Sequence, residues 1–273
     1  MALTQTGPAW LFCPADRPER FEKAAAAADV VILDLEDGVA AKDREAARRA
    51  LIETPLDPDR TVVRINPSAT ADHQLDLEAL KRTSYTTVML AKTESVQQVS
   101  ALLPLDVVVL IETPLGALHV VELSRLGNAI ALMWGAEDLF AVLGGTANRH
   151  VDGTYRDVAR HVRSQTLLAA KAYGCMALDS VFIDIKDLDG LRDEVDDAVA
   201  VGFDAKVAIH PSQVAVIRAG YAPTAEQVEW ARHVLAAARD ERGVFQYEGL
   251  MVDAPVLRRA ERIVALAPND RGW

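Results

Sequence analysis

Cysteine is nearly absent: Cys13 and Cys175 are the only two in 273 residues. They lie far apart and form no C-x-x-C pair, which excludes a disulfide framework and a thiolate zinc site. No uncharged apolar run is long enough to cross a membrane. The N-terminus lacks a basic segment followed by an apolar one, and a cytoplasmic protein is expected. Basic residues are in the minority, 29 Lys and Arg against 40 Asp and Glu, for a formal charge of −11. That balance argues against nucleic acid and anionic membrane as partners, and an anionic ligand has to be met by a local basic cluster. Neither G-x-G-x-x-G nor G-K-[ST] occurs, which counts against Rossmann and P-loop nucleotide binding.

Half of the residues are apolar, enough for a large core. They gather into eight runs, 10–15, 30–35, 61–66, 86–92, 106–113, 129–138, 180–185 and 205–211. Helical patterns lie between them at 20–28, 42–53, 74–82, 95–103, 115–126, 155–173 and 188–201. Near-continuous Val, Ile and Leu runs alternating with helices read as parallel strands covered on both sides. Eight such units in this length predict a TIM (β/α)8 barrel over 1–220 rather than an open doubly wound sheet. The rest, 221–273, is a C-terminal extension with helices at 225–239 and 254–267. It either caps the barrel or packs on a neighbouring subunit.

Charges concentrate where the runs end. Glu36 and Asp37 close the second, Arg64 the third, Lys92 the fourth, Glu112 the fifth and Asp138 the sixth. Asp184 and Lys186 close the seventh, and His210 the eighth. In a TIM barrel these ends converge on the mouth that carries the active site.

Burying an ionised carboxylate at the tip of an apolar run is costly unless a cation meets it. Glu112 and Asp138, at the ends of consecutive runs, suggest one shared divalent metal. With no His or Cys beside either, hard oxygen ligands favour Mg2+ (or Mn2+) over zinc. The plain alternative makes Asp138 an N-cap of a helix over 139–143 and Glu112 a partner of Arg64. Arg64 either pairs with Glu36 or Asp37, or contacts substrate and stabilises an oxyanion; both hold together. Glu36 and Asp37 read as groups that orient it. Lys92 has no feature marking a depressed pKa, as a Schiff-base lysine would need. Arg17, Arg20 and Lys23 follow the first run, either as a solvated helix face or as a phosphate clamp for a nucleotide-bearing ligand. A lone His210 is more often structural.

The segments FCPADRPERF, VILDLEDGV, VVRIN, VMLAKTES, IETPLG, WGAEDL, AIHPSQV and GLMVDAPV resemble, in that order, motifs of the citrate lyase β-subunit-like family. That family, which overlaps the HpcH/HpaI aldolases, includes malyl-CoA and related 3-hydroxyacyl-CoA lyases. The resemblance implies a Mg2+-dependent carbon–carbon lyase with Glu112 and Asp138 as metal ligands. Arg64 would contact the 2-oxo acid and the thioester enolate, and the backbone at Ala136, Glu137 and Asp138 would line the oxo acid. Phe12, Arg17 and Lys23 match acyl-CoA contacts, with Ile209 and His210 at the adjoining edge. Asp253 matches a general base supplied by a neighbouring subunit, which implies a trimer or hexamer. A stand-alone enzyme on free CoA thioesters is the preferred reading. The alternatives are a malyl-CoA-type thioesterase, an aldolase for free 4-hydroxy-2-oxo acids, a citryl lyase subunit and a non-enzymatic binding protein.

Overall fold

The computed structural model describes Leu3, residues 6–239 and residues 243–267. The barrel strands are β1 (Ala9–Pro14), β2 (Val30–Asp34), β3 (Thr61–Ile65), β4 (Thr87–Leu90), β5 (Asp106–Ile111), β6 (Ala129–Trp134), β7 (Met176–Asp179) and β8 (Ala205–Ala208). All pair in parallel and in sequence order, and β1 closes the ring on β8. The helices around them are α1 (Phe21–Ala27), α2 (Arg44–Glu53), α3 (Ala71–Leu80), α4 (Val96–Ser100), α5 (Pro114–Ser124), α6 (Ala136–Leu143), α7 (Asp157–Tyr173), α8 (Leu188–Val201) and α9 (Pro211–Tyr221). The predicted barrel is present.

Its interior is filled by alternate residues of each strand, as the two-residue period requires. Trp10, Val30 and Ile32, Val62, Met89, Val108 and Leu110, Met133, Leu178 and Val207 form one buried cluster. Each large apolar side chain so buried contributes about 1.5–3 kcal/mol. Carrying the same alternation one step toward the strands' C-terminal ends reaches Phe12, Asp34, Arg64, Glu112 and Gly135. The core thus dictates which residues face into the mouth.

The seventh strand is a correction. It runs over Met176–Asp179, whereas 180–185 has no strand structure. The reason lies at the end of α7: Gly174 adopts a left-handed conformation (φ 76°), ends the helix and turns the chain at once into β7. The more β-like composition of SVFIDI was misleading. Asp184 and Lys186 consequently lie on an exposed turn, not at a strand end, with Asp184 Oδ1 accepting from the Lys186 and Asp187 N–H groups.

A second compact unit begins at Arg218, so the division falls inside α9. It holds α10 (Ala225–Ala237), β9 (Phe245–Tyr247), β10 (Leu250–Val252) and α11 (Ala254–Leu266) around Ala231, Val234, Val252 and Ala260. The β9–β10 hairpin was not anticipated. Its two-residue turn, Glu248–Gly249, has both φ angles positive (47° and 82°), the geometry that Asn-Gly usually supplies. Residues 240–242 and 268–273 of the expected extension lie outside the described residues.

Candidate active site

Arg64 and Asp34 form the rigid part of the mouth. Arg64 donates from Nε to Asp34 Oδ1 at 2.7 Å and from Nη2 to Oδ2 at 2.5 Å, a bidentate pair on adjacent strands in register. Its Nη1 lies 3.2 Å from Glu36 Oε2, and its guanidinium sits 4.6 Å from the centroid of the Phe12 ring. Asp34 also accepts from the N–H groups of Glu36 (2.9 Å) and Gly38 (2.8 Å), so the loop after β2 wraps around one carboxylate. A Cβ on Gly38 would lie 2.3 Å from Asp34 Oδ2, which is why glycine stands there. Burial opposes the charge on Arg64, but Asp34 more than compensates and raises its pKa further.

Lys92 occupies the centre. Its ammonium makes a short contact with Glu36 Oε1 and lies 2.9 Å from Asp37 Oδ2 and 3.5 Å from Asp138 Oδ1. Its backbone N–H donates to Glu112 Oε1 at 2.9 Å, an orientation set by a φ of +50° that non-glycine residues rarely adopt. Burial disfavours the charged form, but the hydrogen bonds to Glu36 and Asp37 outweigh it and hold the lysine pKa above its usual range. The lysine is thus held in its charged form, the opposite of what a Schiff-base lysine needs.

Glu112 is 2% exposed. Burial, reinforced by the Asp138 carboxylate, pushes its pKa up to about 8, with Arg64 and Lys92 acting in the opposite sense. A Cβ on Gly135 would come within 2.9 Å of both Cβ and Oε2 of Glu112, so β6 approaches this carboxyl as closely as glycine permits. Glu36 also has its pKa raised by burial, whereas Asp37 is held low despite burial by its Lys92 hydrogen bond.

Asp138 does not end β6, and it is not an N-cap. Gly135 caps α6 without a side-chain hydrogen bond, and Asp138 sits half-buried in the first helical turn with Glu137. Negative charge is favoured there by the helix dipole. The N–H groups of Ala136, Glu137 and Asp138 have no partner within the helix. Glu137 is exposed and accepts from Asn148 Nδ2 at 2.5 Å.

The other expected residues are less concentrated. Arg17, Arg20 and Lys23 are exposed, and Arg17 lies 3.5 Å from Asp16. Ile209 is half-buried just beyond β8, its N–H donating to Gln213 Oε1. His210 Nδ1 is engaged locally by Ser212, through Oγ at 2.8 Å and N–H at 3.2 Å. Asp253 belongs to the second unit, where it caps α11 by accepting from the Val256 N–H at 3.3 Å. Cys13 and Cys175 are free and buried, and burial pushes the Cys13 thiol up to about 11.

Two features escaped the sequence reading. Asp34 was passed over for Glu36 and Asp37, although it shares the inward face with Val30 and Ile32; the alternation itself was the missed signal. A second buried cluster joins Asp179, Lys206, Glu194, Arg163 and Trp134, with Lys206 Nζ 3.0 Å from Asp179 and 2.8 Å from Glu194. Its residues point away from the barrel interior, since Leu178 and Val207 beside them face inward. Asp179 ends β7, but the expected run at 180–185 places it ahead of a strand instead of at its end.

Among the described residues no three or more His, Cys, Asp or Glu side chains converge as a metal cage. Glu112 and Asp138 offer two hard oxygen donors within an acidic surplus: among the described residues the ion pairs of Asp34, Glu36, Asp37 and Asp138 are with Arg64 and Lys92, and Arg64 and Lys92 also act on Glu112. That donor set fits Mg2+, which is commonly held by one or two carboxylates and completes its shell with water and substrate oxygens.

The fold and this mouth define an α/β-barrel enzyme with an acidic site suited to a hard divalent cation. The chain belongs to the HpcH/HpaI aldolase/citrate lyase family, whose profile matches residues 9–211. It is 61% identical over 267 residues to a citrate lyase subunit beta-like protein of Mycobacterium tuberculosis, covering 98% of both chains. It is 30% identical over 293 residues to the mitochondrial citramalyl-CoA lyase of Rattus norvegicus, covering 95% of this chain and 85% of that one. The crystal structure of CitE from M. tuberculosis in complex with magnesium, acetoacetate and coenzyme A superposes with a TM-score of 0.94 at 61% identity, covering 97% of this chain and 99% of that chain.

Proposed function

We propose that this protein is a Mg2+-dependent carbon–carbon lyase, or synthase in reverse, acting on 3-hydroxyacyl-CoA thioesters. The observation that carries the reading is the buried Glu112 carboxyl beside Asp138, with Arg64 locked by Asp34 on the same inward face. The M. tuberculosis CitE complex with magnesium, acetoacetate and coenzyme A supports it.

Glu112 and Asp138 would hold the metal, which when bound polarises the oxygens of a 2-oxo acid and fixes its orientation. The N–H groups at Ala136, Glu137 and Asp138 receive the acid's carboxylate. Phe12, Arg17 and Lys23, with Ile209 and His210 at the edge, take the acyl-CoA, the basic pair answering the phosphates in an acidic protein. In cleavage, Asp253 removes the proton of the 3-hydroxyl group. The electrons of the broken carbon–carbon bond pass to the thioester, and Arg64 stabilises the resulting enolate. Glu36 and Asp37 keep Arg64 and Lys92 in place. Protonation of the enolate releases acyl-CoA. One such positioned cation contributes roughly 10²-fold or more in rate.

Asp253 would be delivered by a neighbouring subunit, making the enzyme a homotrimer or hexamer in the cytoplasm. No described helix is long and apolar enough to cross a membrane.

The test is incubation with Mg2+, acetyl-CoA and individual 2-oxo acids (glyoxylate, oxaloacetate, pyruvate), with and without EDTA, reading product masses. A metal-dependent 3-hydroxyacyl-CoA from one oxo acid is expected. Free CoA with the condensed free acid would mark a thioesterase. No product from any pair, alongside cleavage of free 4-hydroxy-2-oxo acids, would replace this reading with an aldolase.

A further inference from the structure

Lys92 addresses both halves of the mouth. Through its ammonium it contacts Glu36 and Asp37, which stand with Arg64, and also Asp138. Through its backbone N–H it holds Glu112. Its positive φ is the backbone angle at which the N–H meets Glu112 while the side chain reaches the three other carboxylates. Without an ammonium here, Asp37 and Asp138 would lose the ion pair each makes among the described residues, and Arg64 is already engaged by Asp34 and Glu36.

We propose that Lys92 is a positioning residue whose ammonium sets Asp138 against Glu36 and Asp37 and competes with a divalent ion for Asp138. The proposal rests on the assignment of Glu112 and Asp138 as metal ligands. The contact to Asp138 is the longest of the three, 3.5 Å against 2.9 Å to Asp37 and a shorter one to Glu36. Asp138 is therefore the partner most readily released. Glu36 and Asp37 keep the ammonium anchored afterwards, so it neither leaves the mouth nor loses its charge. Two consequences follow for a variant lacking the charge. The metal-free protein loses the cation that offsets its clustered carboxylates, while the divalent ion no longer competes for Asp138 and no longer sits near a fixed positive charge.

The experiment compares wild type with Lys92→Met, which keeps the chain length, and Lys92→Asn, whose short side chain tolerates the left-handed backbone. Both retain the N–H bond to Glu112. Mn2+ affinity is read by electron paramagnetic resonance, and melting temperature is measured with EDTA and with saturating Mn2+. The expected result is Mn2+ binding tighter by about tenfold, as removal of a nearby like charge predicts. A melting temperature lowered in EDTA should return to the wild-type value with Mn2+. Equal loss of melting temperature in both conditions with unchanged affinity would make Lys92 a scaffold residue and overturn the proposal, as would weaker Mn2+ binding by either variant. Absence of Mn2+ binding by wild type would instead refute the metal assignment itself. A Met variant too unstable to purify leaves the Asn variant to decide.

Discussion

Glu112 shows how a single side chain is set against the fold that carries it. Burial favours its neutral form, so the stability it contributes is fully present below the usual carboxylate range and is lost as pH rises through about 8. Metal-free protein should therefore melt at lower temperature at pH 9 than at pH 6. Glu112→Gln should remove much of that difference and abolish Mg2+-dependent turnover, with each kcal/mol recovered at high pH worth roughly 2–4 °C. Differential scanning calorimetry in EDTA at the two pH values, with a turnover assay, checks both halves; an equally steep pH dependence in the variant would clear Glu112 of the effect. Gly135→Ala provides the complementary probe. Its new Cβ would press on Glu112 at 2.9 Å, and Mg2+ affinity measured by calorimetry should fall by an order of magnitude, ~10-fold, while the barrel stays folded. Unchanged affinity would mean that the carboxyl has room to move.

The strands and helices divide into those whose placement the sequence announces and those it conceals. Runs such as VVILD and DVVVLI declare themselves as buried parallel strands, and Glu112 and Arg64 fall where their alternation puts them. Legibility fails where composition and geometry part. The β7 strand MALD lacks β-branched residues and depends on Gly174 for its start, whereas SVFIDI has the right residues and no partner strand. Lys92 looked ordinary because its importance comes from a backbone angle, and Asp34 was masked by two later acids. The Asp179–Lys206 pair was invisible because each partner is one charge in an otherwise apolar run. Its energetics are open to measurement. Lys206 is fully buried, and Asp179, held down to about 2 by Lys206 and Arg163 against the cost of burial, is its counterpart across β7 and β8. Asp179→Ala removes the carboxylate shared by Lys206 and Arg163, leaving them Glu194 and Asp197, and should cost about 3–5 kcal/mol in urea unfolding, with Lys206→Met in the same chain recovering part of it. A loss below about 1 kcal/mol for the single variant would show that water or Glu194 takes over the ammonium.

At the scale of the whole molecule the decisive prediction concerns Asp253. If it serves a neighbour's mouth, Glu112→Gln and Asp253→Ala subunits are each inactive alone, but co-refolded mixtures regain activity at sites that combine two intact residues. A mixture as inactive as its components would restrict Asp253 to its own chain or to its helix-capping role. One last consequence comes from the way the mouth is filled. Its charged groups come from β2 and β3, from the residues that follow β2, β4 and β5, and from the first turn of α6 at Asp138. The tips of β7 and β8 bring uncharged neighbours instead, Ser180 and Ile209. The ring is chemically lopsided: one arc carries the charge, and the other is uncharged at its strand tips. Substitutions at Ser180 and Ile209 are therefore expected to leave Mg2+ affinity closer to the wild-type value than substitutions in the charged arc, which calorimetry on matched variants would show.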